Sequence, residues 1–95
     1  MAILELSSFN PQPLHDGIQV VLDYGDYELS IVKHSGSYGH TQGKYEIMVF
    51  KHGGPCEMPG ITEEHDSIKG YLTESDVNII IKKMYIVTGK SPEQI

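Results

Sequence analysis

Five histidines and one cysteine are the side chains of this 95-residue chain best suited to hold a metal or move a proton. His34 and His40 lie in the segment His34-Ser-Gly-Ser-Tyr-Gly-His-Thr-Gln-Gly43. His52 and Cys56 lie in His52-Gly-Gly-Pro-Cys-Glu-Met-Pro-Gly60, and His65 follows Glu63 and Glu64. Zinc needs three or four convergent ligands, and its sites show in sequence as Cys-x2-Cys or His-x3-His pairs. The nearest approach here is His52-x3-Cys56, which matches neither. The two loops flank opposite ends of one strand, Lys44–Lys51, and a rise of ~3.3 Å per residue sets them roughly 25 Å apart. The residues are therefore read as ordinary loop histidines, with no metal and no cofactor expected.

Covalent catalysis has little to stand on. Cys56, between Pro55 and Glu57, lacks a cationic neighbour of the kind that activates a thiol. No Gly-x-Ser-x-Gly elbow is present. The chain is expected not to be an enzyme.

Binding is the better use of the glycine-rich loop. Tight hairpins need about two to five connecting residues, so residues 34–43 make a longer connection than folding demands. The loop lacks the Gly-Lys-Ser/Thr ending of a phosphate loop and enters a strand rather than a helix. Its spacing is not a dinucleotide fingerprint either. Its polar residues His34, Ser35, Ser37, Tyr38, His40 and Gln42, with Gly39 among them, are instead candidates to meet a partner. A second candidate surface is the acidic run Glu63, Glu64 and Asp66. It could present carboxylates to a basic partner, although a charge run more often is a solvated surface.

Composition narrows the partner. Thirteen acids against seven bases give a net charge of −6, and all seven bases are lysine. Without arginine the chain lacks the forked donor that grips phosphates and guanines, so nucleic acid is not expected. The lone cysteine excludes an intramolecular disulfide. The N-terminus has no basic region before its short apolar run and is not read as a signal peptide. The longest apolar stretch, Val77 to Val87, is broken by Asn78 and Lys82-Lys83 and falls short of the ~20 residues that span a bilayer. No membrane association is expected, and the chain is placed in the cytoplasm (the host's, if the gene is viral).

The elements that position these residues read as follows. Residues 1–16 form an extended N-terminal segment, with Ala2–Leu6 as a short strand, and Asn10-Pro11-Gln12-Pro13 is held extended or turned by its prolines. Gly17–Leu22 is rich in β-branched residues and reads as a strand. Asp23-Tyr24-Gly25-Asp26 is a turn. Tyr27–Lys33 alternates Tyr27, Leu29 and Ile31 with Glu28 and Ser30, the pattern of a strand with one wet face. Lys44–Lys51 repeats it with Tyr45, Ile47 and Val49, while Met48 and Phe50 on the other side imply a second face covered at one end. Ile61–Asp66 reads as polar loop and Ser67–Tyr71 as a short final strand, with Gly70 marking a bulge or a close approach.

The clearest element is the helix over residues 73–88. Thr73 is a good N-cap, with Asp76 as return partner of a capping box. Val77, Ile80, Ile81, Met84 and Thr88 share one face, and Gly89 ends the helix. Ile79 and Ile86 extend the apolar surface beyond that face, and either this surplus helix surface or a sheet edge offers a homodimer interface.

In the order Ser35-Gly-Ser-Tyr-Gly39, Gly43-Lys-Tyr-Glu-Ile47, Lys69-Gly-Tyr-Leu-Thr73 and Glu-Ser-Asp-Val77, the chain resembles small uncharacterised accessory proteins carried by tailed bacteriophages and their prophages. The resemblance spans residues 27–83, rests on glycine and turn positions, and carries no catalytic residues. It implies a protein that modulates a host machine by binding it.

The sequence thus describes one α+β domain: an antiparallel sheet of three to five strands with a C-terminal helix packed on one face. The expected function is a non-enzymatic protein-interaction module working through the glycine-rich hairpin loop and acidic surface. The alternative is a small-ligand or metal-binding module built on the same loop, completed across a homodimer.

Overall fold

A computed structural model of the chain describes residues 5–95. Most of the expected strand over Ala2–Leu6 lies outside them, and Leu6 itself begins a single 3-10 turn, Leu6–Ser8.

The sheet is built on a three-stranded meander. Strands β2 (Gly17–Asp23), β3 (Tyr27–Lys33) and β4 (Tyr45–Lys51) run antiparallel to their neighbours. Each outer strand of the meander shares its free edge between two short strands. On β2 these are β1 (Gln12–Leu14), opposite Gly17–Gln19, and the C-terminal β7 (Glu93–Gln94), opposite Leu22 and Asp23. On β4 they are β5 (Gly54–Pro55), opposite Phe50 and Lys51, and β6 (Ile68–Leu72), opposite Tyr45, Ile47 and Met48. Among the described residues the sheet is antiparallel throughout, as expected, and the short strands raise its count to seven. The strand at residues 68–72 is not the last, because β7 follows the helix.

Register aligns the core. Val20, Ile31 and Ile47 stand abreast, as do Leu22, Leu29 and Val49, and all six are buried. Helix α1 (Glu74–Thr88) packs Val77, Ile80, Ile81 and Met84 in the same buried cluster. Its caps are those its sequence announces. Thr73 Oγ1 accepts from the Asp76 N–H at 3.1 Å and Asp76 Oδ2 accepts from the Thr73 N–H at 3.0 Å. Gly89 closes the helix at φ +70°, its N–H donating to Tyr85 O.

Three parts of the core differ from expectation. Tyr27 and Tyr45 are only partly buried at its margin, each with a lysine over its ring: Lys51 Nζ lies 5.3 Å from Tyr27 and Lys33 Nζ 4.6 Å from Tyr45. Tyr24, expected in a turn, is fully buried and donates its hydroxyl to Ile81 O at 2.9 Å. Ile61 and Thr62, expected in polar loop, are buried, their N–H groups bonding Met58 O.

The wet face of β3 is also less wet than its alternation implies, since Ser30 and Val32 are buried with Leu29 and Ile31. Gln19 Nε2 reaches across to Ser30 Oγ at 3.0 Å. Val32 stands opposite Glu46, whose carboxylate accepts from the Tyr38 N–H in the folded-back loop. Among the described residues no helix is long and apolar enough to cross a membrane.

Candidate functional site

The glycine-rich loop holds itself in one shape. Ser37 is its interior pin: its N–H and hydroxyl both donate to His34 O, at 2.9 and 2.8 Å, and its Oγ accepts from the His34 N–H at 3.0 Å. Gly36 N–H donates to His34 Nδ1, and Ser35 N–H to Asp16 Oδ1. That last bond holds the Asp16 carboxyl below the usual carboxylate range. His40–Gln42 then winds into a 3-10 turn bounded by Gly39 and Gly43, both in the left-handed region.

Folding back brings the loop against β6. Gly39 has φ +92°, and a side chain there would meet Tyr71 Cα at 2.9 Å. Gly70 faces Tyr38 just as closely: an added Cβ would overlap Tyr38 Cβ and stand 3.3 Å from Tyr38 O. Two glycines therefore let two backbones touch, and the Tyr71 N–H points to Tyr38 O at 3.4 Å. Strand β6 is bulged here, its register slipping between the Tyr45 and Ile47 pairings. Tyr71 sits at φ +57°, which β-strand aromatics seldom adopt. The outcome is a pair of aromatic side chains standing in solvent, Tyr38 at 60 % and Tyr71 at 56 % exposure.

The acidic segment reaches the same place. Glu63 N–H donates to Ile68 O on β6, and Asp66 N–H to Glu63 O, while Asp66 Oδ1 accepts from the Ser67 N–H at 2.7 Å. Tyr38, Tyr71, Glu63 and Asp66, with Ile68, Lys69 and Gly70, line a groove of about 290 Å³. The two surfaces proposed separately from sequence, the loop and the acidic run, meet across β6.

Not every candidate residue arrives there. Ser37 and Gly39 are buried and shape the loop from within. Glu64 turns outward and pairs with His65 Nε2 at 3.4 Å, both 85 % exposed. His34 stacks edge-on with His15, ring centroids 5.2 Å apart, and Ser35 is tied to Asp16. His40 lines a different depression with Asp16, Ile18 and Lys33, and Gln42 is exposed on the 3-10 turn. Among the described residues no three His, Cys, Asp or Glu side chains are placed to share a metal. Cys56 is half-buried against the core, its thiol donating to Glu57 O at 3.2 Å. The residues that sequence reasoning missed are Tyr71, Ile68 and Lys69. Gly70 was the available signal for Tyr71, because a glycine at a bulge marks a close backbone approach.

Chemically, the groove offers two phenol rings, two carboxylates and one ammonium. Exposed tyrosines beside carboxylates suit a cationic side chain, which gains from the ring face and from a charge-assisted hydrogen bond. The chain already seats two of its own lysines over tyrosine rings. Compared with known protein families, curated proteins and solved structures, the chain has no significant match.

Proposed function

We propose that this chain is a non-enzymatic protein-interaction module whose groove between the glycine-rich loop and β6 captures a lysine- or arginine-bearing segment of a protein partner. The observation that carries the reading is the paired exposure of Tyr38 and Tyr71 beside Glu63 and Asp66. Gly39 and Gly70 let the loop and β6 approach closely enough for both rings to line one groove. Tyrosine is enriched where partners bind because it supplies large contact area at small entropic cost. In the phage setting that the sequence resemblance implies, the partner is a host protein.

The test is affinity capture from a host lysate with the wild-type chain and with Tyr38→Ala, Tyr71→Ala and the pair Glu63→Gln/Asp66→Asn as baits. A protein captured by the wild type and lost with each variant supports the reading, and its binding should weaken with salt. A captured set that is the same for all four baits refutes it.

A further inference from the structure

The outward face of α1 presents a self-complementary stripe, and we infer that it pairs with the same stripe of a second copy to form an antiparallel, two-fold symmetric dimer. Asp76, Ile79, Lys83 and Ile86 follow one another at i, i+3, i+7 and i+10, which keeps them on one side of a helix with 3.6 residues per turn. The core uses a different side, through Val77, Ile80, Ile81 and Met84. Ile79 is 54 % and Ile86 69 % exposed. Asp76, Ile79 and Lys83 line one groove of about 410 Å³, with Tyr71 and Lys69 at its far wall.

The charges choose the occupant. Asp76 and Lys83 are two helical turns apart, about 10.5 Å along the axis, with Ile79 between them. A half-turn about an axis through Ile79 lays Ile79 on Ile79 of the second copy. The same rotation sets each Asp76 beside the other copy's Lys83. A parallel arrangement would oppose like charges and lose both pairs. Each group has capacity left for this contact. Asp76 uses Oδ2 for the Thr73 cap, leaving Oδ1, and Lys83 Nζ gives one of its three protons to Gly60 O at 3.0 Å. Other charges facing the groove are Lys69 within it and, on the far side of Ile79, Glu5 and Lys82. Tyr71 ends the seam, and the groove holding Tyr38 and Asp66 lies beyond it. An interface one helix wide is small, so the dimer is a weak one, with dissociation in the micromolar range.

Sedimentation velocity from about 0.1 μM to about 1 mM tests this, a span that brackets dissociation constants throughout the micromolar range. The wild type should shift from monomer to dimer with concentration. Ile79→Glu should hold it monomeric, with an unchanged circular dichroism spectrum because the side chain lies outside the core. Lys83→Glu should raise the dissociation constant about tenfold or more, since symmetry sets the repulsion twice. Lys90→Glu, the same charge change beyond the helix end and against Gly25, should change it by less than about twofold. A chain monomeric at every concentration overturns the inference. So does a dimer indifferent to Ile79→Glu, or one that responds equally to Lys90→Glu and Lys83→Glu.

Discussion

Gly70→Ala is the substitution that most directly probes how the loop and β6 are held together. The added methyl would overlap Tyr38 Cβ and approach Tyr38 Cγ to 3.4 Å. Gly70 is not in the left-handed region, so the cost is steric rather than conformational. The obstacle is a Cβ, which moves only with its backbone, and that backbone is tied to Glu46 at 2.9 Å. Overpacking of this kind costs about 1–3 kcal/mol, which in a domain of this length lowers the melting temperature by on the order of 5–20 °C. Urea denaturation of a small cycle isolates the cause. Tyr38→Ala keeps the obstructing Cβ and should leave the cost of Gly70→Ala in place, whereas Tyr38→Gly removes it and should relieve more than half. A Gly70→Ala chain within about 0.5 kcal/mol of wild type would refute the account. Equal relief by Tyr38→Ala and Tyr38→Gly would do so as well.

Three further outcomes are expected. Tyr71→Gly removes a side chain from a left-handed position that costs L-residues about 1–2 kcal/mol, partly offset by glycine's entropy. The chain should be as stable or slightly more stable in urea while losing partner capture, and clear destabilisation would count against backbone strain at Tyr71. Tyr24→Phe removes the bond to Ile81 O and should cost about 0.5–1.5 kcal/mol. Burial pushes the Tyr24 hydroxyl pKa above its ordinary 10.0, so wild-type stability should fall as pH rises past that value, and Tyr24→Phe should flatten this alkaline limb in pH-dependent melts. The Thr73 N–H holds the Asp76 carboxyl below its ordinary 3.8, so its stabilisation is complete above that pH and lost as pH falls through the folded value. Asp76→Asn should shallow the acid limb of the same melts, and an unchanged acid limb would show that the cap charge contributes nothing.

What could be read beforehand followed local rules. The helix declared itself through Thr73, Asp76 and Gly89, because capping chemistry is complete within a few residues. The meander declared itself through alternation at Leu29, Ile31, Ile47 and Val49. Contacts between distant segments left no such mark. Nothing local says that Glu93–Gln94 will pair with Leu22–Asp23, or that Tyr24 will reach a helix carbonyl 57 residues on. The histidines show a different blind spot. His15, His52 and His65 all occupy positive φ, a region where histidine is enriched for backbone reasons, so a residue suggestive of metal chemistry is serving as a turn former. At the site, the sequence supplied Tyr38, Glu63 and Asp66 but not their meeting, which depends on the Gly39–Tyr71 and Gly70–Tyr38 contacts. Tyr71 escaped notice because a strand residue in a left-handed conformation has no periodic signature.

The shared edges of the sheet bear on how this chain behaves when crowded. An unpaired strand is a template on which another chain can grow, and amyloid is that growth repeated without end. Here the templates are short or spoiled. β1 contains Pro13 and β5 contains Pro55, β7 has two residues, and β6 is bulged and answered by Glu63. The long, flat strands β2, β3 and β4 are all interior to the pairing. Solubility at high concentration is thus guarded by a handful of residues remote from one another in sequence. Over Leu22 and Asp23 that guard is β7, fastened by the two bonds between Gln94 and Asn10 and by the Ile95 N–H to Val21 O. Residues as far as 84 positions apart in sequence close the stretch of β2's edge that β1 leaves bare.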